Sequence, residues 1–194
     1  MGLHRHLVVF ARFPGLGTGK RRLAKDVGDI EAYRFQRATL AALLRRVGRD
    51  RRWITWLAVT PDRSKPWPDW LRIHPQGPGD LGRRMTAVAR RLPQGPLVII
   101  GSDIPGISPA MIERAFHMLA SCDVVFGPSP DGGYWLVGLR RRPRVMVPFA
   151  RVRWSSQHAL NDTLANLNGA SVGFVNTLED VDDGPALMRH RGHY

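Results

Sequence analysis

Short apolar runs alternate along this chain with segments in which apolar residues recur at helical spacing. The apolar runs predict buried strands, and the helical spacing predicts amphipathic helices. Predicted strands cover residues 7–11, 53–59, 97–100, 124–126, 134–139 and 171–175. Predicted helices cover residues 29–47, 81–92, 155–167 and 185–190, and a further helix begins at Ser108-Pro109. Asp29, Ser108 and either Ser155 or Ser156 are expected to cap their helices.

The alternation predicts a three-layer α/β fold in one domain over residues 1–194, with a mostly parallel central sheet flanked by helices. In open sheets of this kind, ligands bind outside the carboxyl ends of the strands. Four predicted strands lead into glycine-rich or acidic segments, which read PGLGTGK, GSDIPG, GPSPDGGY and NTLEDVDD. We therefore expect the chemically informative residues to meet at one edge of the sheet.

The composition is strongly basic, with a formal net charge of +13 and 29 lysine and arginine residues. A charge of this size suggests nucleic-acid binding. The arginines, however, are spread along the chain in pairs, as is typical of solvated faces, and the densest group, residues 140–144, predicts a loop. We expect no nucleic-acid partner, and a surface that attracts anionic substrates such as nucleotides.

Cysteine content and hydropathy argue against a disulfide-bonded, a secreted or a membrane-spanning protein. The only cysteine, Cys122, excludes an internal disulfide and a cysteine-based zinc site. No apolar run approaches the roughly 18 residues of a membrane helix. The first residues also lack the apolar core of a signal peptide. We expect a soluble, cytoplasmic protein with no membrane span.

A glycine-rich, cationic loop follows the first predicted strand. Its glycines let backbone N–H groups approach an anion closely, and its cations can neutralise a triphosphate or pyrophosphate. The loop differs from a Walker A motif because Arg21 stands where that motif needs a hydroxyl residue. A surface loop that needs glycine only for turning is equally consistent with the pattern. The residues concerned are Arg12, Gly15, Gly17, Gly19, Lys20, Arg21 and Arg22.

Aspartates follow two of the predicted strands. A carboxylate such as Asp103, directly after a buried strand, is costly without a partner, and a divalent metal is one such partner. The alternative is a capping aspartate, but Ser108 already supplies that cap. Asp180, Asp182 and Asp183 follow the last strand and are either solvated or part of the same site. Because Mg²⁺ is held by one or two carboxylates plus substrate phosphates, Asp103 with one of the three meets its requirement.

Several motifs, in order, resemble those of a bacterial glycosyltransferase-like family, also called radical-SAM/selenodomain-associated transferases, of the nucleotide-diphospho-sugar transferase superfamily. They are FARFPGLGTGKRRLA, GDLGRRM, GSDIPGIS, GPSPDGGYWLVGL, WSSQHALNDT and EDVDD. The chain is more distantly similar to nucleotidyltransferases that make molybdenum cofactor, isoprenoid and phospholactate conjugates. The resemblance covers nearly the whole chain and implies a Rossmann-like, GT-A-type fold.

The resemblance also implies roles for individual residues. Lys20 and Arg22 would hold phosphate, Asp103 and Asp182 would bind the metal, and Gly82 would lie near the nucleoside. Two departures leave details open. Arg21 replaces the usual Thr or Ser, and Asp183 replaces the usual closing Thr, so the second ligand could be Asp180, Asp182 or Asp183.

The expected function is a transferase that depends on Mg²⁺ or Mn²⁺ and uses a nucleotide donor, with Lys20 and Asp103 as catalytic residues. Nucleotidyl transfer from a nucleoside triphosphate and glycosyl transfer from a nucleotide-diphospho-sugar both fit. The alternative is a non-catalytic nucleotide-binding protein or a basic nucleic-acid-binding protein.

The acceptor is a small molecule that the sequence does not identify. The segment PDGGYW is expected to form part of its pocket, and a tight turn between two strands is the alternative. The substrate-binding residues in this segment would be Asp131, Gly132, Gly133 and Tyr134, with Trp135 beside them.

Overall fold

The computed structural model describes residues 4–61 and 67–190. The strands are β1 His6–Arg12, β2 Ile54–Thr60, β3 Arg72–Pro75, β4 Leu97–Ile100, β5 Val124–Pro128, β6 Tyr134–Leu139 and β7 Val172–Phe174. The helices are α1 Arg21–Val27, α2 Asp29–Val47, α3 Leu81–Arg91, α4 Pro109–Met118, α5 Ala159–Ala165 and α6 Gly184–Arg189. Within the described ranges, no helix is both long and apolar enough to cross a membrane.

The seven strands of the described chain form one sheet in the order β3-β2-β1-β4-β6-β5-β7. All neighbours pair in parallel except β6, which runs antiparallel to both β4 and β5. A tight turn at residues 129–133 joins β5 to β6, and a connection this short permits only antiparallel pairing. The expected mostly parallel α/β sheet is confirmed.

Helices cover both faces of the sheet. On one face, alternate strand residues such as Leu7 and Ile100 pack against Leu40 of α2 and Ile112 of α4. The opposite face packs against α3 and α5. A third apolar cluster joins α1, α2 and α6 and contains Leu23, Phe35, Val181 and Leu187. This third cluster connects the segment after β1 with the segment after β7.

Helix boundaries differ from the sequence prediction in two places. The predicted helix 155–167 is regular only from Ala159, so neither Ser155 nor Ser156 is its N-cap. Ser155 instead adopts a left-handed backbone, with φ 57°, and Ser156 bridges a turn by donating to Arg153 O and accepting from His158 N. Gly28, not Asp29, occupies the N-cap of α2.

The expected cap of α4 is confirmed, because Ser108 Oγ accepts from Met111 N at 3.4 Å.

Residues 140–144 form a loop, as predicted, but not all of their arginines are solvated. Arg141 is only 6% exposed. Its guanidinium donates to the backbone oxygens of Ala89, Leu92, Pro93 and Gly95. Burial lowers the pKa of Arg141 to about 10. The side chain therefore satisfies one carbonyl in the last turn of α3, the carbonyl of its C-cap Leu92, and two carbonyls of the connection that follows, at a helix end where carbonyls lack intrahelical partners.

Candidate active site

The carboxyl edge of the sheet brings three aspartates together. Asp103 lies just beyond β4, and Asp180 and Asp182 lie in the segment that follows β7. Val181, fully buried between the latter two, donates its backbone N–H to Asp103 O at 3.2 Å. One carboxylate oxygen from each aspartate lies within 4.8 Å of the others. β4 and β7 run parallel but are separated by β6 and β5, and the segment after β7 runs back to the end of β4 to produce the juxtaposition that the sequence predicted.

Lys20 lies among these carboxylates. Its Nζ is 2.5 Å from Asp103 Oδ2 and 2.9 Å from Asp182 Oδ1, and its side chain is only 9% exposed. Burial by itself would lower the pKa of Lys20, but the charges of Asp103 and Asp182 outweigh burial and raise it. The lysine is therefore fully protonated and pairs with both carboxylates. In this structure Lys20 is therefore the partner that compensates the charge of Asp103 after a buried strand.

Asp180 has a different environment from the other two aspartates. No hydrogen bond or ion pair reaches its carboxyl group from the residues that the structure describes. Burial, followed by the negative charge of Asp103, raises the pKa of Asp180 to about 6. Asp131, in the turn between β5 and β6, adds to this effect. A positive charge arriving at the cluster would relieve the repulsion.

Asp183 has a structural role instead. Its Oδ1 accepts from Ala186 N at 2.8 Å, which makes Asp183 the N-cap of α6. On the next residue, Gly184 N donates to Asp26 Oδ2 of α1 at 2.8 Å. Of the three aspartates that the sequence left open, Asp180 and Asp182 are near Asp103, and Asp183 fixes the helix that follows.

The donor set of the cluster fits a hard divalent cation. All three groups offer carboxylate oxygens, which Mg²⁺ and Mn²⁺ prefer. Asp103 and Asp182 are 33% and 48% exposed, so the cluster is open to solvent and to a ligand. Arg22, on the first turn of α1, adds a second cation 3.6 Å from Asp182 Oδ2. The cluster therefore offers oxygen ligands of the kind that bind a divalent cation, and Arg22 is a cation of the kind that binds phosphate.

The glycine loop leads directly to this cluster. Thr18 closes it by donating its backbone N–H and its hydroxyl to Gly15 O. Gly17 and Gly19 have φ of 69° and 105°, which glycine adopts without strain. Lys20 continues the left-handed backbone with φ 40° and is the N-cap of α1. The left-handed backbone of the loop therefore sets the position of the Lys20 Cα and the direction in which its side chain leaves the backbone.

The remaining predicted cations lie around the loop. Arg12, at the end of β1, and Arg21 are exposed. The side chain of Arg12 runs beside Gly19, since a Cβ built there would lie 3.4 Å from Arg12 Cδ. Arg21 and Arg22 follow Lys20 directly, as the first two residues of α1.

Gly82 is required by packing. It is buried near the start of α3, and a Cβ at this position would lie 2.5 Å from Phe149 O and 2.9 Å from the Trp154 ring. The glycine thus lets α3 approach the segment after β6. The close packing alone is a sufficient reason for a glycine at position 82, and the expected position near the nucleoside stays a prediction.

Gln76 was not identified from the sequence, because an isolated glutamine gives no signal. It is 4% exposed. Its Nε2 donates to Ala11 O at 3.0 Å and to Ala58 O at 2.8 Å, near the carboxyl ends of β1 and β2. Arg84 NH1 approaches Gln76 Oε1 at 3.5 Å and Arg84 Nε donates to Gly79 O. Gln76 therefore fixes the segment before α3 against the sheet.

The PDGGYW segment forms a tight turn between β5 and β6, which was the alternative to a role in the acceptor pocket. Asp131 Oδ1 accepts from Gly133 N at 2.9 Å. Gly132 has φ 84°, and a Cβ there would lie 2.2 Å from Gln157 O.

The two aromatic residues that follow this turn pack against other side chains of the protein. Tyr134 packs against Phe126 and Trp154. Trp135 is 3% exposed and donates Nε1 to Asn176 O at 2.9 Å. The expectation that Trp135 lines an acceptor pocket is therefore wrong, because the indole is part of the core.

The chain is similar to several known proteins. The chain is 30% identical over 181 residues to 2-phospho-L-lactate guanylyltransferase of Methanopyrus kandleri, covering 91% of this chain and 86% of the relative. Among solved structures, a candidate nucleotide-diphospho-sugar transferase from Desulfovibrio desulfuricans G20 superposes with a TM-score of 0.82 at 24% identity. The match covers 92% of this chain and 82% of that one.

The fold recurs at lower identity in Rv0371c from Mycobacterium tuberculosis H37Rv, whose structure is a complex with manganese. That match has a TM-score of 0.54 and 18% identity, and covers 97% of this chain and 98% of the other. Together these likenesses confirm the expected fold, which the chain shares with the candidate nucleotide-diphospho-sugar transferase. Residues 41–156 match the family described as "Uncharacterized protein conserved in bacteria (DUF2064)", and the chain belongs to this family.

Proposed function

We propose that this protein is a nucleotide-dependent transferase whose reaction is metal-dependent nucleotidyl transfer. The observation that carries the proposal is the cluster of Asp103, Asp180 and Asp182 around the Lys20 ammonium, directly after a glycine loop. A relative that is 30% identical over most of both chains is a guanylyltransferase, which favours nucleotidyl over glycosyl transfer. GTP is the first donor to test for the same reason.

In this reaction, an oxygen of the acceptor's phosphate attacks the α-phosphorus of the triphosphate. The bond from the α-phosphorus to its bridging oxygen breaks, and pyrophosphate leaves with that oxygen. Asp103, Asp180 and Asp182 would hold Mg²⁺ or Mn²⁺, which supplies positive charge to the phosphate oxygens when bound. Lys20 and Arg22 would neutralise the leaving pyrophosphate, and the backbone of the glycine loop would orient it.

The acceptor we propose is a small phosphorylated acid. Arg12 and Arg21 are exposed beside the loop and have no acidic partner among the described residues, so they are available to an anionic acceptor. The relative's name specifies 2-phospho-L-lactate, an acceptor of this class.

The test is a thermal-shift panel of nucleoside triphosphates and nucleotide sugars, each with Mg²⁺, Mn²⁺ or EDTA. A ligand that binds only the folded state raises the melting temperature by mass action. We expect GTP with a divalent cation to raise it, and Asp103→Asn or Asp182→Asn to abolish the metal-dependent part. Asp69→Asn, at an exposed position away from the cluster, is the matched control.

Tight GTP binding in excess EDTA, unaffected by either substitution at the cluster, would contradict metal dependence. Product analysis then separates the reactions. Pyrophosphate release with a phosphorylated acceptor indicates nucleotidyl transfer, and release of a nucleoside diphosphate from a sugar donor indicates glycosyl transfer. Nucleotide binding with neither product indicates a non-catalytic protein. Oligonucleotide binding that falls steeply with salt would instead support the nucleic-acid alternative.

A further inference from the structure

Lys20 occupies the position in the cluster where a metal would have to bind. Two of the three candidate ligand groups, Asp103 and Asp182, already contact its Nζ at 2.5 and 2.9 Å. A cation within ordinary Mg–O bonding distance, about 2.1 Å, of the same oxygens would lie against the ammonium. The two positive charges cannot share this position, so the lysine has to leave before the carboxylates can coordinate a metal.

Leaving the cluster is costly unless the ammonium finds a new partner. The Lys20 side chain is almost completely buried, and both of its contacts are charge-assisted hydrogen bonds, which are stronger than neutral ones. Among the described residues, no other acidic group pairs with Lys20. The phosphates of a nucleotide are a replacement partner that arrives at the same edge of the sheet.

The segment before Lys20 has the backbone freedom that such a movement needs. Gly17 and Gly19 have positive φ, and Gly17 has open space around the position that a Cβ would occupy. Lys20 itself is held at φ 40°, a left-handed conformation that costs a non-glycine residue free energy. The ion pairs with Asp103 and Asp182 therefore help to hold a conformation that the backbone alone does not favour.

We propose that Lys20 closes the carboxylate cluster in the ligand-free protein, so that a divalent cation binds tightly only together with the nucleotide phosphates that take over the ammonium. This inference rests on the proposed function and adds how the same site is regulated. Lys20 acts as a gate on the metal, and metal and nucleotide bind with positive cooperativity, each strengthening the other by the same factor.

The experiment measures Mn²⁺ binding to the protein by equilibrium dialysis, with and without GTP on both sides of the membrane, so that Mn²⁺ bound to free GTP is counted on both sides. The variants are Lys20→Met, which removes the charge, and Lys20→Gly, which removes the side chain and suits the left-handed backbone. Lys25→Met is the matched control, because Lys25 is exposed on the same helix and has no acidic partner among the described residues. Circular dichroism and melting temperature establish that each variant is folded.

Without GTP, we expect both Lys20 variants to bind Mn²⁺ about tenfold more tightly than the unmodified protein, since no ammonium competes for the carboxylates and a hydrogen bond to a charged group contributes that much. The control should match the unmodified protein. GTP should strengthen Mn²⁺ binding strongly in the unmodified protein and only weakly in the Lys20 variants.

Two other results would overturn the inference, and they are distinguishable. If GTP strengthens Mn²⁺ binding equally in all proteins and the Lys20 variants gain nothing in its absence, the gate is wrong and the proposed function survives. If no variant binds Mn²⁺ with or without GTP, the metal-dependent function is wrong, and the inference is wrong with it.

Discussion

At the scale of single residues, the burial of a titratable side chain shifts its pKa and so makes the stability of the fold depend on pH. His6 is an example away from the site. It begins β1, is 1% exposed and accepts a hydrogen bond on Nδ1 from Trp56 Nε1 at 3.2 Å. Burial lowers the pKa of His6 to about 4, and the nearby charge of Arg141 contributes. The folded protein therefore keeps His6 neutral over a range in which the unfolded chain protonates it.

His6 should make the fold less stable in acid. An unfolded histidine binds its proton near pH 6.5, whereas folded His6 does so only near pH 4. Acidification between these values therefore favours the unfolded state, and the loss approaches about 3 kcal/mol as an upper limit. His6→Asn, which can still accept from Trp56, should lose less unfolding free energy than the unmodified protein between pH 6.5 and 4. Urea titrations at several pH values test this, and parallel pH profiles for the two proteins would contradict it.

At the scale of elements, the sequence predicted those with a regular pattern and missed those without one. The six strands with apolar runs and the long helix α2 were predicted because burial repeats along them. Helix α1 was missed because only Leu23 of its seven residues is buried, so it shows no period. Strand β3 was missed because its four residues lie at the sheet edge and none is fully buried. Both short elements depend on neighbours that a local pattern does not reveal.

The contribution of Arg141 to the C-terminal end of helix α3 can be tested by mutation. Arg141→Ala would remove a donor from the carbonyls of Ala89 in α3, of its C-cap Leu92, and of Pro93 and Gly95 beyond it, and each such loss costs about 1–3 kcal/mol. We expect the variant to lose roughly 3 kcal/mol of unfolding free energy in total, less than the sum because water can enter. Arg142→Ala is the matched control, since among the described residues this exposed neighbour donates only to Gln94 Oε1. Equal losses in both variants, measured by urea unfolding, would show that Arg141 does not support the helix end.

At the scale of the whole molecule, the site depends on contacts between distant parts of the chain. Topology allowed the meeting of Asp103 with the last acidic segment to be predicted, because both follow parallel strands. The role of Lys20 as their partner, and the division of work between Asp180 and Asp183, were not predictable. Both depend on α1 and α6 packing together through the third cluster, and no spacing in the sequence encodes that packing.

Val181 tests this dependence. It is fully buried between the two acidic residues and packs in the third cluster. Val181→Ala should lower the unfolding free energy by about 2 kcal/mol, as deletions of buried methyl groups do. It should also weaken metal-dependent GTP binding, because Asp180 and Asp182 lose their support. Val47→Ala, an equally buried valine at the end of α2, should lower stability similarly and leave GTP binding unchanged. If both variants bind GTP equally well, the cluster does not position the aspartates.

The docking of residues 180–183 onto the end of β4 also has a consequence for biosynthesis. By the time a ribosome has added residue 178, all seven strands of the sheet have been made, and Lys20 and Asp103 are in the same chain. Asp180 and Asp182 are still absent, so the chain made by then contains the residues of every strand but not those of the whole site. A nascent chain can therefore begin to fold before it can engage its ligands, and the proposed activity would appear only when translation has passed this last acidic segment.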